Sequence, residues 1–220
     1  MPNEAGRAYG LTTLCPIKIG AERNHSFASL TRQFLQDLQE NKSHERSPMA
    51  QVPNTYLCRF FVLDDVSYQG KPAMLDRLQS PYLVFVAELH GQLETYLQGL
   101  WRHANDFATQ VWKHCVGFHR VQGERDFITY IKACQVQTTY YFNGSTDDPL
   151  AEQLKSLYLM QEFSRFAYAS TNKKSEELQK DFQEFIKRTQ PLNIAGPTWR
   201  AGASTLQDAI VESGERENPS

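Results

Sequence analysis

The sequence predicts an α+β fold, a ferredoxin-like split β-α-β sheet with helices on one face and a helical C-terminal extension. Three observations carry this expectation. YLCRFFVLDD (56–65) and YLVFVAELHG (82–91) are apolar at both alternating sets of positions, as strands covered on both faces are. Around them, apolar residues switch to spacings of three and four, the mark of amphipathic helices. The segments run strand, helix, strand, strand, helix, strand, which is the split β-α-β order.

The first strand is AYGLTTLCPI (8–17), in which β-branched and apolar residues run up to Pro16 and Gly20. Phe27, Leu30, Phe34, Leu35 and Leu38 then form one helical stripe, and ENKSHERSP (40–48) is a polar loop. In the second strand Tyr56, Cys58, Phe60 and Val62 face one way, Leu57, Phe61 and Leu63 the other, with Arg59 in the middle. SYQGKPAMLDRLQSP (67–81) is a turn-rich connection to the third strand, whose end becomes polar at Glu88 and His90. From Leu93, a broad helical face carries Tyr96, Leu97, Leu100, Ala104, Phe107, Ala108, Val111 and Cys115, and Gly117 ends it. A short helix over 124–134 is followed by VQTTYYFNG (136–144), read as the fourth strand. Residues 148–168 and 173–188 read as two further helices. The organisation is therefore a ferredoxin-like domain over 8–145, a helical extension over 146–190, and a tail over 191–220. The tail lacks periodicity and is expected to be disordered.

Bulk properties narrow the function classes. A chain of 220 residues is long enough for a substantial core. A net charge of −2, with no run of Lys and Arg, argues against a nucleic-acid or anionic-membrane partner. No stretch approaches 18 consecutive apolar residues, so no membrane span is expected. Cys15, Cys58, Cys115 and Cys134 are widely spread, without a C-x-x-C pair, and no secretory leader is visible. They read as reduced, mostly buried thiols, and the expected location is cytoplasmic.

Four segments, LTTLCPIKIG, FFVLDD, YLVFVAELHGQLETYL and VWKHCVGF, together resemble a group of largely uncharacterised bacterial proteins of the dimeric α+β-barrel type. That group is similar in architecture to dye-decolourising peroxidases, which bind haem. The resemblance covers residues 10–145 by order of motifs and implies a homodimer, a barrel-like pocket, and haem as a candidate cofactor. Two positions depart from the group's pattern. Its aromatic-Asp-Gly after the third strand is here Leu89-His90-Gly91, and its His-Phe-Ala-Arg is Tyr56-Leu57-Cys58-Arg59. Both departures fall where a pocket would lie.

The densest set of chemistry-bearing residues is VWKHCVGFHR (111–120). It supplies His114, Cys115 and His119, but there is no second cluster to complete a zinc site, so no metal is expected. The plainer reading is a helix end, with a histidine at the negative pole and a buried cysteine. A haem needs one axial imidazole, which His114, His119, His103 or His90 could supply, with His114 and His103 taken as the candidates. Arg59 is the stronger lead. A guanidinium within an apolar strand is either ion-paired, to Glu88 or to Asp64 or Asp65, or it anchors a ligand carboxylate or phosphate. Glu88, His90 and Tyr140 are the other candidate ligand-binding residues. No Walker motif, G-x-S-x-G elbow or H-E-x-x-H is present. Two readings remain: a protein binding an apolar or anionic small molecule or haem, related to haem peroxidases, or a non-catalytic dimerisation or interaction module.

Overall fold

The structure, a computed structural model of the chain, describes residues 3–41, 47–65, 70–71, 78–145 and 147–199. The chain divides into two compact units, Met1–Asp147 and Asp148–Ser220.

In the first unit, β1 (Glu4–Ala5) folds back on β2 (Ala8–Pro16), and two short strands, β3 (Ala21–Glu22) and β4 (His25–Ser26), lead into α1 (Phe27–Asn41). Then come β5 (Thr55–Leu63), β6 (Tyr82–His90), α2 (Leu93–Trp112) and α3 (Glu124–Ala133). The main sheet is antiparallel throughout, in the order β1-β2-β6-β5, so β6 lies between β2 and β5 as the split β-α-β arrangement requires. The fold is α+β and ferredoxin-like, with the long helices on one face.

The register separates the two faces of the sheet. Leu11 opposes Ala87, Thr13 opposes Phe85, Cys15 opposes Leu83, and Phe60 opposes Phe85 on the helix-covered face. Here Phe60 stacks on Phe85 at 4.5 Å, and Trp112 meets both edge-on, at 5.7 and 5.5 Å. Phe127 of α3 closes on Trp112 at 5.6 Å. These offset and edge-to-face contacts suit the ring quadrupoles. The indole N–H of Trp112 is buried with no hydrogen-bond acceptor among the described residues.

Two expectations are corrected. Residues 136–144 form no strand. Gln135 makes a single bridge to Thr13, and Val136 N–H donates to Thr12 O at 2.8 Å. Beyond that, the edge of β2 is already occupied. Asn3 accepts from Gly10 N–H with its own carbonyl at 2.9 Å, and its side-chain amide donates to Gly10 O at 2.9 Å. β1 takes the places opposite Ala8 and Tyr9. Thr138 therefore bonds to the Asn3 side chain instead of to a strand. The second correction concerns β5 and β6, which are covered on one face only. Leu57 is 64% and Phe61 43% exposed on the face away from the helices. The expectation of a disordered tail over 191–220 falls mostly outside the described residues. Residues 191–199 run on from the last helix, while 200–220 lie outside the described residues.

The second unit is a helical hairpin of α4 (Leu150–Ala169) and α5 (Ser175–Thr189). Phe166 packs on Phe182 and Phe185 at 5.9 and 5.2 Å. Two charges are buried within it. Glu162 is held by Arg165 and Arg188, and Lys155 donates to the carbonyls of Thr189 and Pro197, each at 2.7 Å. Both charges are thus compensated, as burial demands. Among the described residues no helix is long and apolar enough to cross a membrane.

Candidate functional site

The uncovered sheet face gathers most of the residues singled out from the sequence. Glu88 faces Gly10 on one side and Leu57 on the other, and Val86 lies between Thr12 and Arg59. Strand alternation puts Glu88 and His90 on this same face. A β-bulge between Thr55 and Leu57 adds Tyr56 to the group. Bulges re-aim side chains in this way. The Tyr56 hydroxyl and His90 Nδ1 share a hydrogen bond of 2.7 Å, with the two rings edge to face at 6.0 Å.

Tyr141 completes the group. Its hydroxyl donates to Glu88 Oε2 at 2.7 Å, and its ring lies over Gly10, where an added Cβ would stand 2.9 Å from the ring. Only glycine leaves room for that ring. Burial, and then the bond to the Glu88 carboxylate, push the Tyr141 hydroxyl's pKa above the usual tyrosine range. Tyr140, the candidate chosen from the sequence, is 80% exposed, and Tyr141 takes the position on the face. The pairing of Tyr141 with Gly10 and Glu88 has no signal in the sequence, because 136–144 crosses the sheet as irregular chain.

Arg59 projects from the middle of this face, exposed, and makes no hydrogen bond or ion pair among the described residues. The partners considered for it are engaged elsewhere. Glu88 accepts from Tyr141, Asp64 pairs with Arg32 of α1, and Asp65 accepts from Leu78 N–H at 3.3 Å. The face therefore exposes Leu14, Leu57 and Phe61 around a buried Val84, with Arg59 a cation free among the described residues near its centre and a hydrogen-bonded polar end. That combination suits an apolar molecule bearing a carboxylate or phosphate.

The chain matches no protein-family model, no curated protein and no solved structure.

Of the histidines considered for haem, His90 lies on this face, whereas His114 and His103 lie away from it. His114 follows the end of α2 in a turn whose backbone is joined to the end of β2, through Lys18 N–H to His114 O at 2.9 Å and Val116 N–H to Pro16 O at 2.7 Å. The imidazole is 9% exposed and stacks on Phe27 at 4.7 Å. Burial lowers its pKa, with help from the positive charges of Lys113 and Lys18 and against the pull of Glu22. His103 is exposed beside a kink in α2 at Ala104. Gly117, at φ +81°, takes the left-handed conformation that lets the chain leave this turn. VWKHCVGFHR is therefore a helix end tied to a strand end. Among the described residues no three His, Cys, Asp or Glu side chains are arranged to hold a metal ion.

Cysteines that are distant in sequence do meet. Cys115 bridges Ile17, and Cys134 O accepts from Leu14 N–H at 2.9 Å, which brings both cysteines beside Cys15 on β2. Tyr130, one helical turn before Cys134, donates from its hydroxyl to Val116 O at 3.2 Å and so stands in the same cluster. The Cys15 thiol donates to the Thr13 hydroxyl at 3.7 Å, and Cys134 lies beside it. The interaction of the two thiols raises the pKa of Cys15 and, with help from Tyr130, lowers that of Cys134 to about 7. Burial instead pushes Cys115 up to about 12, and Cys58, alone among apolar neighbours, to about 11. The four cysteines are free thiols.

Proposed function

We propose that this protein is a binding module in which the uncovered sheet face pairs with the same face of a second copy, enclosing an apolar anion between them. Arg59 neutralises the ligand's carboxylate or phosphate, and Tyr56, His90, Glu88 and Tyr141 supply hydrogen bonds at the polar end. The observation that carries this reading is the exposure of Leu57 and Phe61 on either side of an unpaired Arg59. Removing two such side chains from water contributes about 1.5–3 kcal/mol each, which favours a partner surface. A second copy presents the same apolar field, so a two-fold axis makes the face its own complement. The architecture resembled at the level of motifs, in which two sheets close a barrel, is consistent with this.

The test combines mass measurement in solution with ligand titration. Sedimentation equilibrium is expected to give a dimer for the wild type and a monomer for Leu57→Asp and Phe61→Asp. 8-Anilinonaphthalene-1-sulfonate, an apolar anion, is expected to bind saturably to the wild type and at least tenfold more weakly to Arg59→Ala. A wild-type monomer whose dye binding is unchanged in Arg59→Ala would sink both halves of the reading. A parallel haemin titration covers the other ligand class. A Soret band lost in His114→Ala and kept in Arg59→Ala would replace this proposal with a haem protein.

A further inference from the structure

The thiol cluster lies on the helix-covered side of the sheet at the β2 edge, and its chemistry is independent of the binding proposal. Three features coincide in it. Cys134 ends α3, is only partly buried, and carries a thiol that ionises far more readily than that of Cys15 or Cys115. Cys15 is fully buried on β2, its thiol donating to the Thr13 hydroxyl at 3.7 Å, and its pKa is raised by the neighbouring Cys134. The backbone holds the two in place, because the Leu14 N–H to Cys134 O bond and the Thr13–Gln135 bridge set residues 134 and 15 at neighbouring positions across the β2 edge. Cys134 thus lies opposite Leu14, one position from Cys15, within Cα reach of a disulfide, and as the residue capping α3 it is not held to the alternating faces of a strand.

We propose that Cys134 and Cys15 are a peroxide-sensitive thiol pair, Cys134 being the residue oxidised first and Cys15 the residue that closes the disulfide. The Cys134 thiolate attacks one oxygen of hydrogen peroxide, an S–O bond forms as the O–O bond breaks, and hydroxide leaves. The product is Cys134 sulfenic acid. The Cys15 sulfur then attacks the Cys134 sulfur, an S–S bond forms as the S–O bond breaks, and the departing oxygen takes up the Cys15 proton as water. The displaced hydroxide is neutralised by the proton that Cys134 released on ionising. Two thiols and one peroxide thus give one disulfide and two waters, with two electrons passing from sulfur to oxygen. The division of labour follows from access and ionisation: the thiolate must be formed and reachable, whereas the second sulfur need only be adjacent. Cys115, fully buried and pushed up to about 12, is unsuited to be oxidised first, and its backbone pairs with Ile17, two residues beyond Cys15. Reduction by a dithiol reverses the change.

The structural consequence is local. The bond ties the end of α3 to β2 at the start of the segment that carries Tyr141 across the open face.

The experiment treats the full-length protein with a small excess of hydrogen peroxide, blocks remaining thiols with N-ethylmaleimide, and maps non-reduced peptides by mass spectrometry. The expected result is a single linkage, Cys15 to Cys134, with Cys58 and Cys115 recovered as blocked thiols. In Cys15→Ser the reaction is expected to stop at Cys134 sulfenic acid, trapped by dimedone. Iodoacetamide labelling of Cys134, half-maximal near pH 7 in the wild type, is expected to move to higher pH in Cys15→Ala, which removes the neighbouring thiol that lowers its pKa. In Cys134→Ser, Cys15 is expected to stay reduced. A wild-type map with another linkage, or with Cys134 unoxidised while Cys58 or Cys115 reacts, overturns the proposal. That map requires no variant to fold.

Discussion

Tyr141 and Glu88 are joined by a hydrogen bond of 2.7 Å across the uncovered face of the sheet, and Gly10 makes the contact fit by leaving the tyrosine ring room. Tyr141→Phe keeps the ring and removes the bond. Its cost is expected to be about 1 kcal/mol in urea unfolding, the usual net worth of one partly buried hydrogen bond. Gly10→Ala places a methyl group 2.9 Å from the ring and is expected to displace residues 139–143, seen as faster amide exchange there. Exchange in Gly10→Ala equal to that of the wild type would show that the ring does not rest where the geometry puts it.

Asn3 replaces the missing fourth strand. It is 5% exposed, and its side chain bonds to Gly10 O and to the Thr138 hydroxyl and amide. Asn3→Ala leaves those buried groups unpaired, and a loss of about 2 kcal/mol is expected, within the range for orphaned polar groups. Thermal unfolding of the variant checks this. A loss confined to a few tenths would mean that water takes over the side chain's role.

The two faces of β5 predict opposite outcomes for adjacent phenylalanines. Phe60 stacks on Phe85 and meets Phe107 and Trp112 edge-on, so Phe60→Ala is expected to cost about 3 kcal/mol, the low end for a phenylalanine because it is only half-buried. Phe61→Ala, measured at protein concentrations where the chain is monomeric, is expected to cost less than about 1 kcal/mol. Equal costs at the two positions would contradict the assignment of one covered and one open face.

His114 makes stability depend on pH with a definite sign. Burial holds its folded-state pKa below the usual 6.5, so around and below that pH the unfolded chain binds the proton more readily than the folded one. Stability from this residue is full above pH 6.5 and is lost as the pH falls below it. The urea midpoint is expected to drop more steeply on acidification in the wild type than in His114→Gln, which cannot titrate. Lys113, Lys18 and Glu22, the charged groups that act on this imidazole, remain in both proteins. Parallel slopes would assign the pH dependence elsewhere.

In the helical hairpin, Lys155 fastens the end of α5 and the chain beyond it through Thr189 O and Pro197 O. Lys155→Met keeps the apolar stem and loses both bonds, and about 2 kcal/mol is expected from the loss of two charge-assisted contacts. Amides of the last turn of α5 are the readout, and unchanged protection there would count against the fastening role.

The regular elements were legible in the sequence because their signal is local. Alternation in 56–63 and 82–90, and spacings of three and four in 27–38, 93–111, 150–169 and 175–189, are properties of single segments, and each became the expected strand or helix. The place of Arg59 in the middle of a strand and of Glu88 and His90 at the end of another was legible for the same reason. What could not be read was which groups compete for one edge or cover one face. VQTTYYF has the composition of a strand, yet the β2 edge it would need is held by Asn3 and β1. The apolar second face of β5 and β6 was visible, but not that it stands open. Tyr141 over Gly10, and Cys134 beside Cys15, join positions more than a hundred residues apart in sequence. Periodicity is settled within a few residues, whereas edge occupancy, face coverage and thiol proximity are settled only when distant segments pack, and at that level the tertiary structure alone decided them.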